Sequence, residues 1–175
     1  MFRSACRDDD SSLLQFYCPD PISWVDPMRF GHGLAAGTHR RDWTWLAFVD
    51  ERPVARAVWW GPVGSVHPVE LQCLLVDPTL PHPEVWGAAL IRSGHRAFAA
   101  AGAILATDLV VEFDADRGDD PAVQRALAWR RRAAADAGLP VVTERAGDAE
   151  TRSRVSFSAR PLQAASPRAL IGANR

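Results

Sequence analysis

The sequence predicts a mixed α/β domain, because its apolar residues follow a two-residue period in some segments and a 3.6-residue period in others. Alternating apolar residues over 43–49 and 54–60, joined by a turn at 50–53, predict a β-hairpin. The apolar run from Val69 to Val76 predicts a strand buried on both faces, followed by a helix and a further strand. Together these elements predict a mixed sheet with helices packed against it.

Three helices are predicted from the residues that begin or end them. The polar stretch Asp8 to Ser12 precedes apolar residues and indicates a short first helix. A second helix is expected over 27–36, because Gly37 follows it as a typical helix end. A later helix is expected to have Pro121 at its first position, behind two capping aspartates, and to end at Gly138.

A long helix is predicted after the buried strand, with Gly87 opening it and Gly102 ending it. Its apolar residues recur with helical spacing, and Gly87 and Gly94 share that face. Two glycines on one buried face indicate that another element packs closely against the helix. Further strands are expected at three segments: 104–113, 141–144 and 154–158.

Length and charge restrict the possible functions. A chain of 175 residues with 47% hydrophobic residues can bury one core, so one domain over 1–160 is expected, followed by a disordered tail over 161–175. The formal net charge of −1 argues against nucleic-acid and membrane partners. Neither a membrane-spanning run nor a signal peptide is evident, which predicts a cytoplasmic protein. All basic residues are arginines, which excludes chemistry based on a lysine Schiff base or a P-loop lysine.

The cysteines and histidines predict neither a disulfide framework nor a metal site. Cys6, Cys18 and Cys73 are odd in number and widely spaced, and no CxxC pair occurs. Cys73 lies in the middle of the apolar strand, where a buried packing role is expected. The five histidines show no paired metal-ligand spacing, although His82 stands in the loop after that strand.

The segment from Glu70 to Ile91 carries the main functional signal. A strand, a loop and a helix opened by a glycine can hold a pyrophosphate, since amide groups at a helix start attract anions. The segments 69–78 and 82–91 resemble the acyl-CoA-binding core of GNAT-type N-acetyltransferases, and 126–139 resembles that family's later helix. The resemblance covers roughly residues 43–158 and implies a mixed, mostly antiparallel, twisted sheet with helices on both faces.

This resemblance implies transfer of an acetyl group from acetyl-CoA to a small-molecule or peptide amine. Glu70 matches the place where many members of the family carry the general base that deprotonates the amine. The strand and the helix start would bind the cofactor largely through their backbone. The implied cofactor-binding residues are Leu74, Leu75, Val76, Val85, Trp86, Gly87, Ala88, Ala89 and Leu90. Homodimer formation stays open, and the chain also resembles the amino-terminal half of proteins with two such domains in tandem.

Several departures from the family pattern favour an alternative, a catalytically inactive domain of the same fold that binds acyl-CoA or acts as a structural partner. Of three positions in the family's loop motif, occupied here by His82, Val85 and Gly87, only the glycine matches. Prolines in the loop remove amide donors. The family's tyrosine position holds Ala134, and the sole tyrosine is Tyr17.

Two further groups of residues have weaker signals. The arginine run 130–132 is expected to lie on a solvated helix face, with phosphate or adenine contact as the alternative. Trp59 and Trp60 are adjacent in the hairpin and therefore point to opposite faces of the sheet. One of them is a candidate to border the acceptor site, although packing is the commoner role for tryptophan.

Overall fold

The computed structural model describes residues 1–16, 18–22, 24–146 and 151–159. These residues form one seven-stranded sheet and four α-helices. The strands are β1 Phe2–Ser4, β2 His39–Val49, β3 Arg52–Trp60, β4 Glu70–Val76, β5 Asp108–Asp114, β6 Val141–Ala146 and β7 Arg152–Ser158. The helices are α1 Asp10–Gln15, α2 Pro27–Ala36, α3 Pro83–Ala100 and α4 Pro121–Asp136. No helix among the described residues has the length and apolar character needed to cross a membrane.

The strand order is β1-β2-β3-β4-β5-β7-β6, and every neighbouring pair is antiparallel except β4 and β5. The predicted hairpin is β2 and β3. Its turn has positive φ at both central residues, 45° at Asp50 and 63° at Glu51, as a two-residue turn that matches the twist of the strands requires. The mixed, mostly antiparallel sheet is therefore confirmed.

Helices cover both faces of the sheet, which also confirms the predicted architecture. On one face, α3 and α4 pack against the sheet through residues such as Leu90, Phe98 and Leu127. On the other face, α1 and α2 supply Leu13 and Phe30 to a second, smaller core. The two glycines of α3 allow the expected close packing, since a Cβ on either would lie 3.1 Å or less from a neighbouring side chain.

Several element boundaries differ from the sequence-based prediction, including the starts of α3 and β5. Helix α3 begins at Pro83, not Gly87, because a proline fits the first turn of a helix and 84–86 continue it. Strand β5 begins at Asp108, not Ile104. Ile104 is 95% exposed, since the chain crosses the end of the sheet after Gly102 before it joins β4. The short β1 was missed, and the tail at 161–175 lies outside the described residues.

Helix α2 packs so closely on β2 that Gly33 cannot carry a side chain. A Cβ at Gly33 would lie 1.8 Å from Nδ1 of His39, whereas one at Gly31 in the same helix would meet nothing within 4 Å. Gly33→Ala should therefore cost about 1–3 kcal/mol of unfolding free energy through overpacking. Gly31→Ala should stabilise the protein by roughly 0.5–1 kcal/mol through helix propensity.

Urea unfolding of both variants checks this prediction. Combining Gly33→Ala with His39→Ala should remove the cost of the extra methyl group, because the two residues then no longer compete for one space. Equal stability of the Gly33→Ala and Gly31→Ala variants would show that α2 can move away from β2.

Candidate functional site

Strands β4 and β5 pair only at their beginnings. The parallel register joins Glu70 to Asp108 and Leu71 to Leu109, and no further pairs follow. From Gln72 onward the two strands diverge, and we call the gap between them the fork. A sheet interior that opens in this way leaves backbone groups of the separated strand without ladder partners, so other groups must pair with them.

A β-bulge lies where the fork begins. Trp59 of β3 pairs with Leu71 of β4. The preceding residue of β3, Val58, pairs with Cys73, so Gln72 is an extra residue in β4. Bulges redirect side chains and often occur beside functional sites.

The backbone of β4 beyond the bulge turns its polar groups alternately to β3 and to the fork. The N–H of Asp77 donates to the carbonyl of Val54 on β3 over 2.8 Å. Because neighbouring positions alternate, the carbonyls of Leu74 and Val76 face the fork. Two of the predicted cofactor-binding residues thus present backbone groups along an open strand edge.

The carbonyl of Leu74 is bound by a buried arginine. Nη2 of Arg130 lies 2.8 Å from this carbonyl oxygen and 2.8 Å from Oδ2 of Asp20. Arg130 is only 2% exposed, and its guanidinium stacks on the ring of Trp129. The expectation that 130–132 form a solvated face is therefore wrong for Arg130, which points into the fork, while the next two arginines of α4 are exposed.

The carbonyl of Val76 is bound by a thiol. Sγ of Cys18 donates to it over 3.3 Å. Burial, with a contribution from the charge of Asp20, raises the pKa of Cys18 to about 11, so this cysteine stays a protonated donor at neutral pH. Together, Cys18 and Arg130 supply partners for both carbonyls on the open edge of β4.

A cleft of about 270 Å³ lies between the end of β4, the start of α3 and helix α4. Val76, Leu80 and Trp129 contribute to its apolar wall, and Arg125 lines it from α4. Arg125 is exposed and forms no ion pair with any described residue. The cleft therefore combines an apolar wall with a cation that is available to a ligand.

The loop into α3 offers few amide donors to an anion. Pro78, Pro81 and Pro83 have no N–H. The N–H of Thr79 donates to Oδ1 of Asp77, and the N–H of Leu80 donates to the carbonyl of Asp77. The structure thus uses the loop amides internally.

The start of α3 already holds a carboxylate. The side chain of Glu84 accepts from its own backbone N–H and pairs with His82 and Arg132 at 3.4 and 3.5 Å. These interactions, the backbone bond first, lower the pKa of Glu84. A negative charge at this helix start would repel a pyrophosphate placed there.

The predicted α3 residues 85–90 belong to the first two turns of the helix and line no part of the cleft. Val85 is 57% exposed, and Trp86 packs against Phe2 of β1. Gly87 faces α4, where a Cβ would lie 3.1 Å from the ring of Trp129. Ala88 is buried, as is Leu90. The structure therefore brings Leu74 and Val76 to the fork and gives Gly87 a packing position.

The predicted base Glu70 lies on the opposite face of the sheet, at the base of the fork. Its Oε1 accepts from Nη2 of Arg154 over 2.5 Å, and its Oε2 accepts from Nε2 of Gln72 over 3.2 Å. Arg154 also donates to Glu112 on β5. Each carboxylate oxygen keeps a second lone pair, so Glu70 can accept a further hydrogen bond.

A second group of polar residues adjoins Glu70 near α2. His39 is 4% exposed, and both its ring nitrogens are buried without a hydrogen-bond partner among the described residues. Burial, with help from the nearby charge of Arg29, lowers the pKa of His39 to about 4, so the ring is neutral at pH 7. Sequence inspection missed His39, whose only signal was an isolated histidine at the start of the first hairpin strand.

The remaining predicted positions have simple outcomes. Ala134, at the family's tyrosine position, is fully buried in the core below α4. Tyr17 lies outside the described residues. Trp60 lines the pocket beside His39, whereas Trp59 is buried under α3 and donates to Thr107. Cys73 is buried in β4, as expected. Among the described residues, no three metal-ligating side chains come together.

Two solved structures share this fold. The GNAT-family acetyltransferase from Streptococcus pneumoniae superposes with a TM-score of 0.55 at 12% identity, covering 89% of this chain and 96% of that one. A GNAT-family protein from Desulfovibrio desulfuricans gives a TM-score of 0.53 at 16% identity, covering 90% and 96%. No protein-family model and no curated protein matches the chain. The chain therefore has the GNAT acetyltransferase fold, established by structure at low sequence identity.

The site suits the pantetheine arm of acetyl-CoA better than its pyrophosphate. The divergence of β4 and β5 leaves a strand edge and an apolar cleft for an extended pantetheine arm. The pyrophosphate has no comparable cradle of amides, because prolines and Glu84 occupy the start of α3. Phosphate contacts of a bound acetyl-CoA would therefore have to come from side chains, and Arg125 of α4 lines the cleft.

The buried ion pair between Asp20 and Arg130 is expected to stabilise the fork. Asp20→Asn should cost about 3 kcal/mol of unfolding free energy, because it leaves a buried guanidinium without its counter-charge. Asp42→Asn is the matched control, since Asp42 pairs with Arg40 on the surface and its loss should cost about 1 kcal/mol or less. Urea unfolding measures both. Equal losses of unfolding free energy in Asp20→Asn and Asp42→Asn would show that the fork is accessible to water.

Proposed function

We propose that this chain is an N-acetyltransferase that transfers an acetyl group from acetyl-CoA to an amine. The observation that carries the proposal is the fork, in which β4 separates from β5 beside an apolar cleft. Its resemblance in position to the GNAT cofactor groove is supported by the fold shared with two GNAT-family structures. When bound, acetyl-CoA supplies the acyl group as a reactive thioester.

The role assigned to Glu70 is to remove a proton from the acceptor. An amine must be neutral to attack a carbonyl carbon, and a positioned carboxylate accepts the proton that it loses. Glu70 lies at the base of the fork on the α2 side, and Arg154 and Gln72 hold its carboxylate in place. This arrangement supports a base with a fixed orientation.

The phosphate groups of the cofactor are assigned to arginine side chains instead of amides at the helix start. Arg125 lines the cleft and is exposed, so its guanidinium can bind a phosphate oxygen. Arg131 lies on the same helix and is also exposed, but it does not line the cleft. The two residues therefore offer a matched comparison.

The second candidate is a catalytically inactive domain of the same fold. Internal contacts at the fork favour it, because Arg130 and Cys18 already bind the carbonyls of Leu74 and Val76. The buried Ala134 also leaves the usual proton donor absent from its family position. This candidate retains a structural or regulatory role and needs no turnover.

Calorimetric titration with acetyl-CoA tests cofactor binding. We expect saturable binding, with a Kd that rises about fivefold to tenfold in Arg125→Gln, since a charge-assisted phosphate contact is worth about 1 kcal/mol or more. Arg131→Gln should bind as the natural chain does. Absence of binding at about 1 mM ligand would exclude cofactor-dependent catalysis and acyl-CoA binding alike.

Release of CoA thiol in the presence of an amine panel tests catalysis. Glu70→Gln should lower kcat by roughly 10²–10⁴ while acetyl-CoA binding is retained, because the amide cannot accept the proton. Glu112→Gln is the matched control, since Glu112 shares Arg154 but lies on β5. Cofactor binding without turnover by the natural chain would favour the inactive domain. If Glu70→Gln and Glu112→Gln both turn over as fast as the natural chain, Glu70 has no part in the mechanism.

A further inference from the structure

The chain segment 18–22, which connects α1 with α2, lies in the fork. Cys18 is buried in the core beneath α1 and α2, on one face of the sheet. Ile22 is buried in the core beneath α3 and α4, on the other face, and Val25 is back in the first core. Between them, Asp20 pairs with Arg130 of α4. The segment therefore enters the fork from the α1 side, reaches the core under α4 and returns.

Few polar contacts hold this segment in the fork. One thiol hydrogen bond joins it to β4, and one ion pair joins it to α4. Pro19 and Pro21 have no N–H, and the N–H of Ile22 donates to Oδ1 of Asp20 inside the segment over 3.0 Å. No backbone–backbone hydrogen bond joins 18–22 to another described residue. A segment that lies outside the hydrogen-bonded ladder can open locally while the sheet stays folded.

Cavities lie on both sides of the segment. Pro19 lines the cleft beside α4, and it also lines a pocket of about 400 Å³ on the α1 side. Ser12 of α1 and Arg52 at the start of β3 line the same pocket. The segment thus separates two cavities, and the pocket on the α1 side provides space into which it can move when it leaves the fork.

An acyl-CoA in the fork would compete with this segment for the open edge of β4. The proposed function places the pantetheine arm along that edge, where the carbonyls of Leu74 and Val76 face the fork. Cys18 binds the carbonyl of Val76 directly. The carbonyl of Leu74 is bound by Arg130, which is also paired with Asp20. A ligand that takes up the edge of β4 therefore takes the place of the segment.

We propose that residues 18–22 form an autoinhibitory plug, which must leave the fork before acetyl-CoA binds there. Opening removes the thiol from the carbonyl of Val76 and the carboxylate of Asp20 from Arg130, so the closed state is favoured without ligand. The pantetheine arm can replace the lost hydrogen bonds, because its amide groups carry N–H donors. The apparent affinity for acetyl-CoA is then reduced by the fraction of molecules that are open. The proposal rests on the proposed function, since acetyl-CoA is the ligand that the plug excludes.

Thiol labelling of the natural chain without ligand tests whether the plug opens on its own. Cys18 lies in the plug and Cys73 lies in β4, and both are buried, so Cys73 is the matched control. Iodoacetamide should alkylate Cys18 at least about tenfold faster than Cys73, as read by mass spectrometry, because local opening exposes only Cys18. Urea below the unfolding transition should accelerate Cys73 steeply and Cys18 only slightly, since local opening exposes little surface. Equal rates at every urea concentration would overturn the plug.

A variant that weakens the closed state tests whether the plug limits cofactor binding. Ile22→Ala removes a buried side chain that is lost from the core on opening, so the Kd for acetyl-CoA should fall about tenfold. Val155→Ala is the matched control, because Val155 is similarly buried in the same core but lies on β7. It should leave the Kd unchanged. A Kd for Ile22→Ala equal to that of the natural chain would overturn the plug.

Acetyl-CoA added during labelling separates this proposal from the proposed function. Faster labelling of Cys18 when acetyl-CoA is bound would support both. Binding of acetyl-CoA with Cys18 labelled at the same rate or more slowly would overturn the plug and leave acyl transfer intact. Binding by Ile22→Ala alone would support the plug and overturn catalysis by the natural chain. Binding by neither chain would overturn both proposals.

Discussion

The separation of β4 from β5 is the constraint on which the rest of this structure depends. A strand that leaves its neighbour in the middle of a sheet carries carbonyls that must find other partners. Arg130 and Cys18 supply those partners for Leu74 and Val76. Placing a guanidinium there in turn requires a counter-charge, which Asp20 provides from the chain segment before α2. The fork thus ties α4 to the amino-terminal part of the domain.

The same contacts set the balance between stability and cofactor binding. A ligand in the fork must either displace Arg130 and Cys18 from β4 or bind beside them, since a carbonyl oxygen has two lone pairs. Displacement would leave a buried charge partly unpaired, a cost that reduces net affinity. Glu84 has a comparable effect at the start of α3, where its carboxylate would repel a phosphate. The same internal contacts are therefore compatible with acetyl transfer and with an inactive domain. The two functions differ in whether the contacts made by a bound cofactor outweigh those that Arg130, Cys18 and Glu84 already make.

Periodicity and capping residues predicted most of the fold, and solitary long-range contacts account for what they missed. The hairpin, α2 and α4 follow from local signals such as alternating tryptophans, Gly37 and Pro121. Arg130 could not be placed, because helical spacing does not show that a carbonyl on another strand needs a donor. Arg56 repeats this lesson: it is fully buried in β3, where its guanidinium donates to two backbone carbonyls of the amino-terminal segment. These two carbonyls lie at least 31 residues away in sequence.

The candidate site divides its chemistry between the two faces of the sheet. The cleft beside α4 is apolar with one available cation, whereas the α2 side holds Glu70, Gln72 and His39. A transfer reaction needs its two reactants to meet, and the end of the β4–β5 ladder is a place where the sheet is interrupted. The bulge at Gln72 lies at that point, so this residue lines a pocket beside α2 and borders the fork with its backbone. The polar side chains of β4, Glu70 and Gln72, lie at the start of the strand and at the bulge, whereas the residues after the bulge are apolar.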